Sequence, residues 1–237
     1  RMTRVIYLLV FLVALIVLVR VVWLDEVTAP QEAPEETVVV FPVSQNEETS
    51  SNIAVSARTQ FNNYLESKQV DDRWVVFSEN GMTIPLDTFL TAVGARIEPA
   101  LSGLLHQSAW QLYSCSDTVA DRAPRDVVLS MRFSLQTNYQ GNLYADQIAS
   151  LTRWEQQLFK DMAPILFPKE YYGQTPQQAT PFRDSAQVTA VNLRQATVRF
   201  ADDSEGEMAY VLAGDELLVG SNMQCVRRAQ ELLFDRG

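Results

Sequence analysis

Residues 5–24 form a nearly uninterrupted apolar run, VIYLLVFLVALIVLVRVVWL, in which Arg20 is the one charge. An α-helix rises about 1.5 Å per residue, so about 20 apolar residues cross a hydrocarbon core of about 30 Å. Within lipid only a helix or a closed barrel satisfies the backbone, so a lone run of this kind is expected to be a transmembrane helix. Arg20 stands one turn from its end, where the stem can lie along lipid while the guanidinium reaches the headgroups. Trp23 is of a type favoured at that interface. Arg1 and Arg4 precede the run, and only acidic charges follow it for more than thirty residues. Basic residues are retained on the cytoplasmic side, so the amino terminus is expected inside and the rest of the chain outside an inner (cytoplasmic) membrane, in single-pass topology. The rival reading is a cleaved secretory signal. Its best cut site, Val27-Thr28-Ala29, is followed by Pro30, and the apolar core exceeds the roughly 7–15 residues usual in signals. An uncleaved anchor is expected.

Residues 25–57 hold seven acidic side chains, no Lys or Arg, and Pro30, Pro34 and Pro42. A single-sign segment of low hydrophobicity cannot bury enough apolar area to offset its ordering entropy, and it repels itself into extension, so this is read as a spacer. Residues 37–41, TVVVF, are a β-prone exception that could pair with a sheet edge or remain a sticky patch in the tether. The chain is formally −10; with −7 in the spacer and +3 in the anchor, residues 58–237 carry −6. Nucleic acids are held largely through Lys and Arg on phosphates, and the one basic pair here is Arg227-Arg228, so no nucleic-acid partner is expected. The same balance argues against a second, electrostatic attachment to anionic lipid. A segment of this length suits one exported domain.

Arg73-Trp74-Val75-Val76-Phe77 reads as a strand ended by Glu79-Asn80-Gly81, since Asn-Gly favours the positive φ of a tight hairpin turn, and Met82-Thr83-Ile84 as its return. Pro85 suits a first helical position; Leu86, Phe89, Leu90 and Val93 share a face, and Gly94 stops the helix. A short helix is expected over residues 99–106, then strands over 109–115 and 127–135. Ile148, Leu151, Trp154, Leu158, Met162 and Ile165 recur at three- and four-residue steps and predict the longest exported helix, over residues 143–165, ended by Pro164 and Pro168. Residues 168–181 look like an exposed loop. Strands over 187–191, 196–201, 208–212 and 216–219, separated by turn residues, indicate an antiparallel meander. Ser221 with Gln224 is a capping-box signature for a closing helix through Phe234. Strands in adjacent runs, not alternating one for one with helices, give an α+β fold with a mainly antiparallel sheet packed by the long helix.

His106 is the only histidine, so multi-histidine zinc sites are impossible within one chain. Ser102 lies a helical turn before it, but no G-x-S-x-G elbow surrounds any serine, and Gly-rich phosphate loops are absent too. No catalytic, cofactor-binding or metal site is therefore expected. Cys115 and Cys225 are the only cysteines. Export permits a disulfide between them; the alternative is two separate buried thiols. Asp202, Asp203, Glu205 and Glu207 cluster without the alternation of a calcium loop and read as a solvated hairpin turn. Glu155 stands beside Trp154 at the edge of the long helix's stripe. There it could be a functional acid of raised pKa or pair structurally with an arginine such as Arg132 or Arg199. Tyr171 and Tyr172, on a Gly- and Gln-rich segment, could form a contact surface or fold back onto the core.

The ordering of these features resembles the single-pass envelope proteins of small-genome candidate-phylum bacteria (Patescibacteria). It rests on the anchor, the acidic spacer, the Asn80-Gly81 turn, the Leu-rich helix to Gly94, Trp154-Glu155 followed by Lys160-Asp161-Met162 and Pro164, Phe182-Arg183-Asp184, and a closing meander with Tyr210. That family has no established activity, so the resemblance implies a bacterial inner-membrane location and transfers no catalytic residue. The expected function is a membrane-anchored extracytoplasmic binding or assembly module. It would contact lipid through residues 5–24 and an envelope protein through the exported domain. The alternative is an envelope hydrolase using carboxylates such as Glu155 and Asp184. A homo-oligomer through the anchor is unforced, because the span lacks a small-xxx-small face.

Overall fold

The computed structural model describes residues 50–67, 73–115, 126–134, 143–184 and 193–235. The apolar run, the spacer up to residue 49, the TVVVF segment and the strand expected over 187–191 lie outside the described residues. Among the described residues, no helix is long and apolar enough to cross a membrane.

The described elements run α1 (Ser50–Glu66), β1 (Arg73–Val75), β2 (Ser78–Glu79), β3 (Met82–Thr83), α2 (Leu86–Val93), α3 (Pro99–Ser102), β4 (Leu105–Cys115) and β5 (Asp126–Phe133). They continue as α4 (Leu143–Leu166), α5 (Lys169–Tyr172), β6 (Gln178–Ala179), β7 (Arg183–Asp184), β8 (Arg194–Arg199), β9 (Glu205–Ala213), β10 (Glu216–Gly220) and α6 (Met223–Phe234). The fold is α+β. One sheet has the order β1-β4-β5-β10-β9-β8-β6, with β7 also on β8, and every pairing is antiparallel. The small β2–β3 hairpin turns through Asn80 (φ 51°) and Gly81 (φ 78°), the two successive positive angles that Asn-Gly tolerates.

The central strands explain why the sheet needs cover on both sides. Strand β10 is buried along its whole length. Leu217 and Val219 point to the larger core, with Leu129, Met131 and Phe133 of β5, while Leu218 and Val128 point to the other face. On the larger side lie α4, through Leu151, Trp154, Leu158 and Met162, and an aromatic group in which Phe89 stacks on Trp110 at 4.3 Å between ring centroids. On the opposite face α6 buries Met223, Val226 and Ala229, a second layer that the sequence reading, with its single long helix, does not contain.

Four local expectations are corrected. Helix α1 begins at Ser50, inside the stretch read as spacer through residue 57. The acidic density ends at Glu48, and Ala57, Phe61 and Tyr64 then recur on one buried face. Ser56 Oγ donates to the buried Glu79 and Gln60 Nε2 to the Ser78 carbonyl at 3.0 Å, fastening α1 to the hairpin. Helix α3 stops at Ser102, so His106 lies on strand β4 with its side chain exposed. The exposed loop expected over 168–181 contains α5 and β6. At the last helix the cap is Asn222, whose side chain accepts from Gln224 N at 2.7 Å, while Ser221 Oγ donates to Asp126 and accepts from Val127 N.

Strand β10 ends where α6 comes closest. A Cβ on Gly220 would lie 2.6 Å from Val226 Cγ2 and 2.9 Å from Val128 Cγ2, both on stiff β-branched side chains. Gly220→Ala must therefore push α6 off the sheet, and overpacking of this kind costs about 1–3 kcal/mol. A urea melt of the variant should show that loss with an unchanged slope; an unaltered midpoint would refute the close approach.

Candidate functional site

Glu155 is the acid singled out by sequence, and its side chain is 12% exposed. Its Oε1 accepts from the Tyr210 hydroxyl at 2.6 Å and its Oε2 from Arg194 Nη2 at 3.1 Å. Arg194 Nε lies against Oε1 as well, off the line of a hydrogen bond. The same guanidinium reaches Asp184 Oδ1 at 3.2 Å and the Phe182 carbonyl at 3.0 Å. The sequence reading named Arg132 or Arg199 as partner; Arg132 instead holds Glu216 and Asp215, and Arg199 holds Glu205. Register decides the matter. Arg194 and Tyr210 are cross-strand partners on β8 and β9, so both meet the carboxylate that α4 lowers onto them. Burial first, then the hydrogen bond to Glu155, raises the Tyr210 phenol above its ordinary value. With both oxygens occupied, Glu155 is placed to clamp α4 to the sheet.

The other flagged residues are dispersed. Ser102 Oγ donates to Asp87 at 3.2 Å, and His106 Nδ1 meets its own neighbour Ser108, so the two are not joined as nucleophile and base. Cys115 and Cys225 are bonded, with Cα atoms 5.7 Å apart, tying β4 to α6. Asp202 closes its turn by accepting from Ser204 N at 3.0 Å, and Glu207 accepts from Met223 N. Tyr172 is half-buried, stacked on Phe200 at 5.4 Å, so this half of the proposed contact pair is turned inward. The Tyr171 side chain lies outside the described residues. Among the described residues, no group of three or more His, Cys, Asp or Glu side chains is placed to hold a metal ion.

A cleft of about 170 Å³ opens between α1, α2, the end of α4 and the segment that begins with α5. Its floor is aromatic: Phe61 and Phe167, 3% and 1% exposed. Phe61 is held edge-on by Phe89 at 5.7 Å, and Phe167 by Tyr172 and Phe200 at 5.5 and 5.7 Å. Val93 reaches the wall because Gly94, at φ 82°, ends α2 there and turns the chain toward Pro164, the other apolar wall. The rim is polar, with Arg58 and Asn62 one helical turn apart on α1, and Lys169 and Thr175 across from them. Arg58 and Lys169 are exposed, and neither has a carboxylate partner among the described residues, whereas Arg132 and Arg194 each hold two carboxylates and Arg199 holds Glu205. Two cations over an aromatic floor can receive an anionic group attached to an apolar body.

Sequence reasoning missed this cleft because residues 58–62 and 164–175 are separated by about a hundred residues, the first stretch was given no element of its own, and Lys169 and Thr175 fell in a segment read as an exposed loop. The one local signal was Arg58, Phe61 and Asn62 at three- and four-residue spacing. No protein-family model, no curated protein and no solved structure matches the chain.

Proposed function

We propose that this chain is a membrane-anchored extracytoplasmic binding or assembly module of a bacterial cell envelope. Residues 5–24 anchor it, the acidic segment spaces it from the bilayer, and the α+β domain contacts an envelope protein. The observation that carries the binding reading is the open cleft, where two cations with no carboxylate partner among the described residues stand above an aromatic floor. The bonded Cys115 and Cys225 support a position outside the cytoplasm, where disulfides persist. The hydrolase reading loses its leading residue, because Glu155 is engaged on both oxygens by Arg194 and Tyr210.

Chemical cross-linking of the full chain in intact membranes tests this. The expected product joins residues of the exported domain to one specific envelope protein. Recovery of no protein adduct, together with turnover of cell-wall material by the purified chain, would replace the module with an enzyme. Self-adducts confined to residues 5–24 would assign the assembly role to a homo-oligomer through the anchor.

A further inference from the structure

We infer that the cleft takes a peptide segment that presents a carboxylate next to an apolar side chain. This rests on the binding reading and narrows it to one kind of partner surface. The size sets the first limit, since about 170 Å³ falls below the roughly 300–1,000 Å³ of clefts that engulf a drug-sized ligand. One side chain with its carboxylate fits; a disaccharide or a phospholipid headgroup with its glycerol does not.

The lining sets the second. Arg58 offers a planar fork of donors matched to a carboxylate, and Lys169 a compact charge from the opposite rim. Asn62 and Thr175 add an amide and a hydroxyl suited to the neighbouring peptide group. A free phosphate would satisfy the cations yet leave the half-buried Val93 and Pro164 wet, whereas an apolar side chain beside the carboxylate covers them.

Charge sets the third. Residues 58–237 are −6 overall and the preceding segment −7, so the protein's general field repels anions at long range. Recognition must come from contact at Arg58 and Lys169, and a neutral isostere of the carboxylate should lose most of it.

The probes are three peptides carrying an uncharged BODIPY dye: acetyl-Lys(BODIPY)-Ala-Leu with a free terminal carboxylate, the same peptide amidated, and an amidated peptide carrying Leu-Glu internally. Fluorescence anisotropy with the full chain in phosphatidylcholine nanodiscs measures their binding. At least one carboxylate peptide should bind saturably and the amidated one about tenfold more weakly, the size expected for losing a hydrogen bond to a charged group. Which carboxylate peptide binds tells a chain terminus from an acidic side chain. Arg58→Ala and Lys169→Ala should each weaken binding about tenfold while leaving the thermal midpoint unchanged, because both side chains are exposed. Equal binding of carboxylate and amide, indifference to both substitutions, absence of saturable binding, or displacement by phosphatidylglycerol in the nanodisc would each overturn the assignment. If the membrane cross-link to an envelope protein survives in the doubly substituted chain, the module stands and only the cleft is wrong. If the unsubstituted chain gives no cross-link, the module itself falls.

Discussion

Replacing Cys115 and Cys225 together by alanine should lower the unfolding free energy by about 5 kcal/mol, the chain-entropy value for a loop of roughly a hundred residues. The bond spans 110 residues and joins the end of β4 to the first turn of α6. Alanine is the better replacement, since Cys225 is 3% exposed and a serine hydroxyl there would add an unpaired polar group. Without the bond, α6 keeps the burial of Met223, Val226 and Ala229, so it stays attached but opens first. Hydrogen exchange should therefore show α6 losing protection ahead of β5 and β10 in the variant and in reduced native protein alike. An unfolding free energy from guanidinium melts within about 1 kcal/mol of the native chain's would show that the bridge contributes little to holding the fold.

The sequence disclosed what is local and periodic. The α4 stripe from Ile148 to Ile165 repeats with the helix, Asn80-Gly81 carries its own turn chemistry, and Gly94 ends α2 at a φ of 82°. What stayed hidden depends on register and burial. The polar flanks of α1 mask Phe61 and Tyr64, whose worth appears only once Phe61 meets Phe77 and Phe89 and Tyr64 meets Phe77. Arg194 cannot be matched to Glu155 without knowing that β8 lies on β9 opposite Tyr210. The second face of the sheet was legible in principle, because Leu217, Leu218 and Val219 are apolar without alternation, the mark of a strand covered on both sides.

Glu155 gives the other large effect. Arg194→Met removes the partner of a carboxylate that is 12% exposed, and breaking a largely buried pair from one side costs about 3–5 kcal/mol. Arg194 itself is 31% exposed, which favours the lower end of that range. Substituting both, Arg194→Met with Glu155→Leu, should recover part of the loss, because no charge is then left at the core edge while the Tyr210 hydroxyl loses its acceptor; the departure from additivity measures the coupling. Tyr210 adds a pH signature. Its phenol is raised in the folded chain, so the stability it contributes is whole below the unfolded value of about 10 and is lost as pH climbs above it. Tyr210→Phe should flatten that alkaline decline, while Tyr172, also raised by burial, retains its share in both proteins. Thermal melts from pH 8 to 11 would show the difference, and identical slopes would deny the Tyr210 contact. The same set of variants separates structure from chemistry at this position. Glu155→Gln keeps the shape and one acceptor, so a clamp predicts a modest stability loss and unchanged partner binding. A lost turnover with unchanged stability would instead return Glu155 to the hydrolase reading.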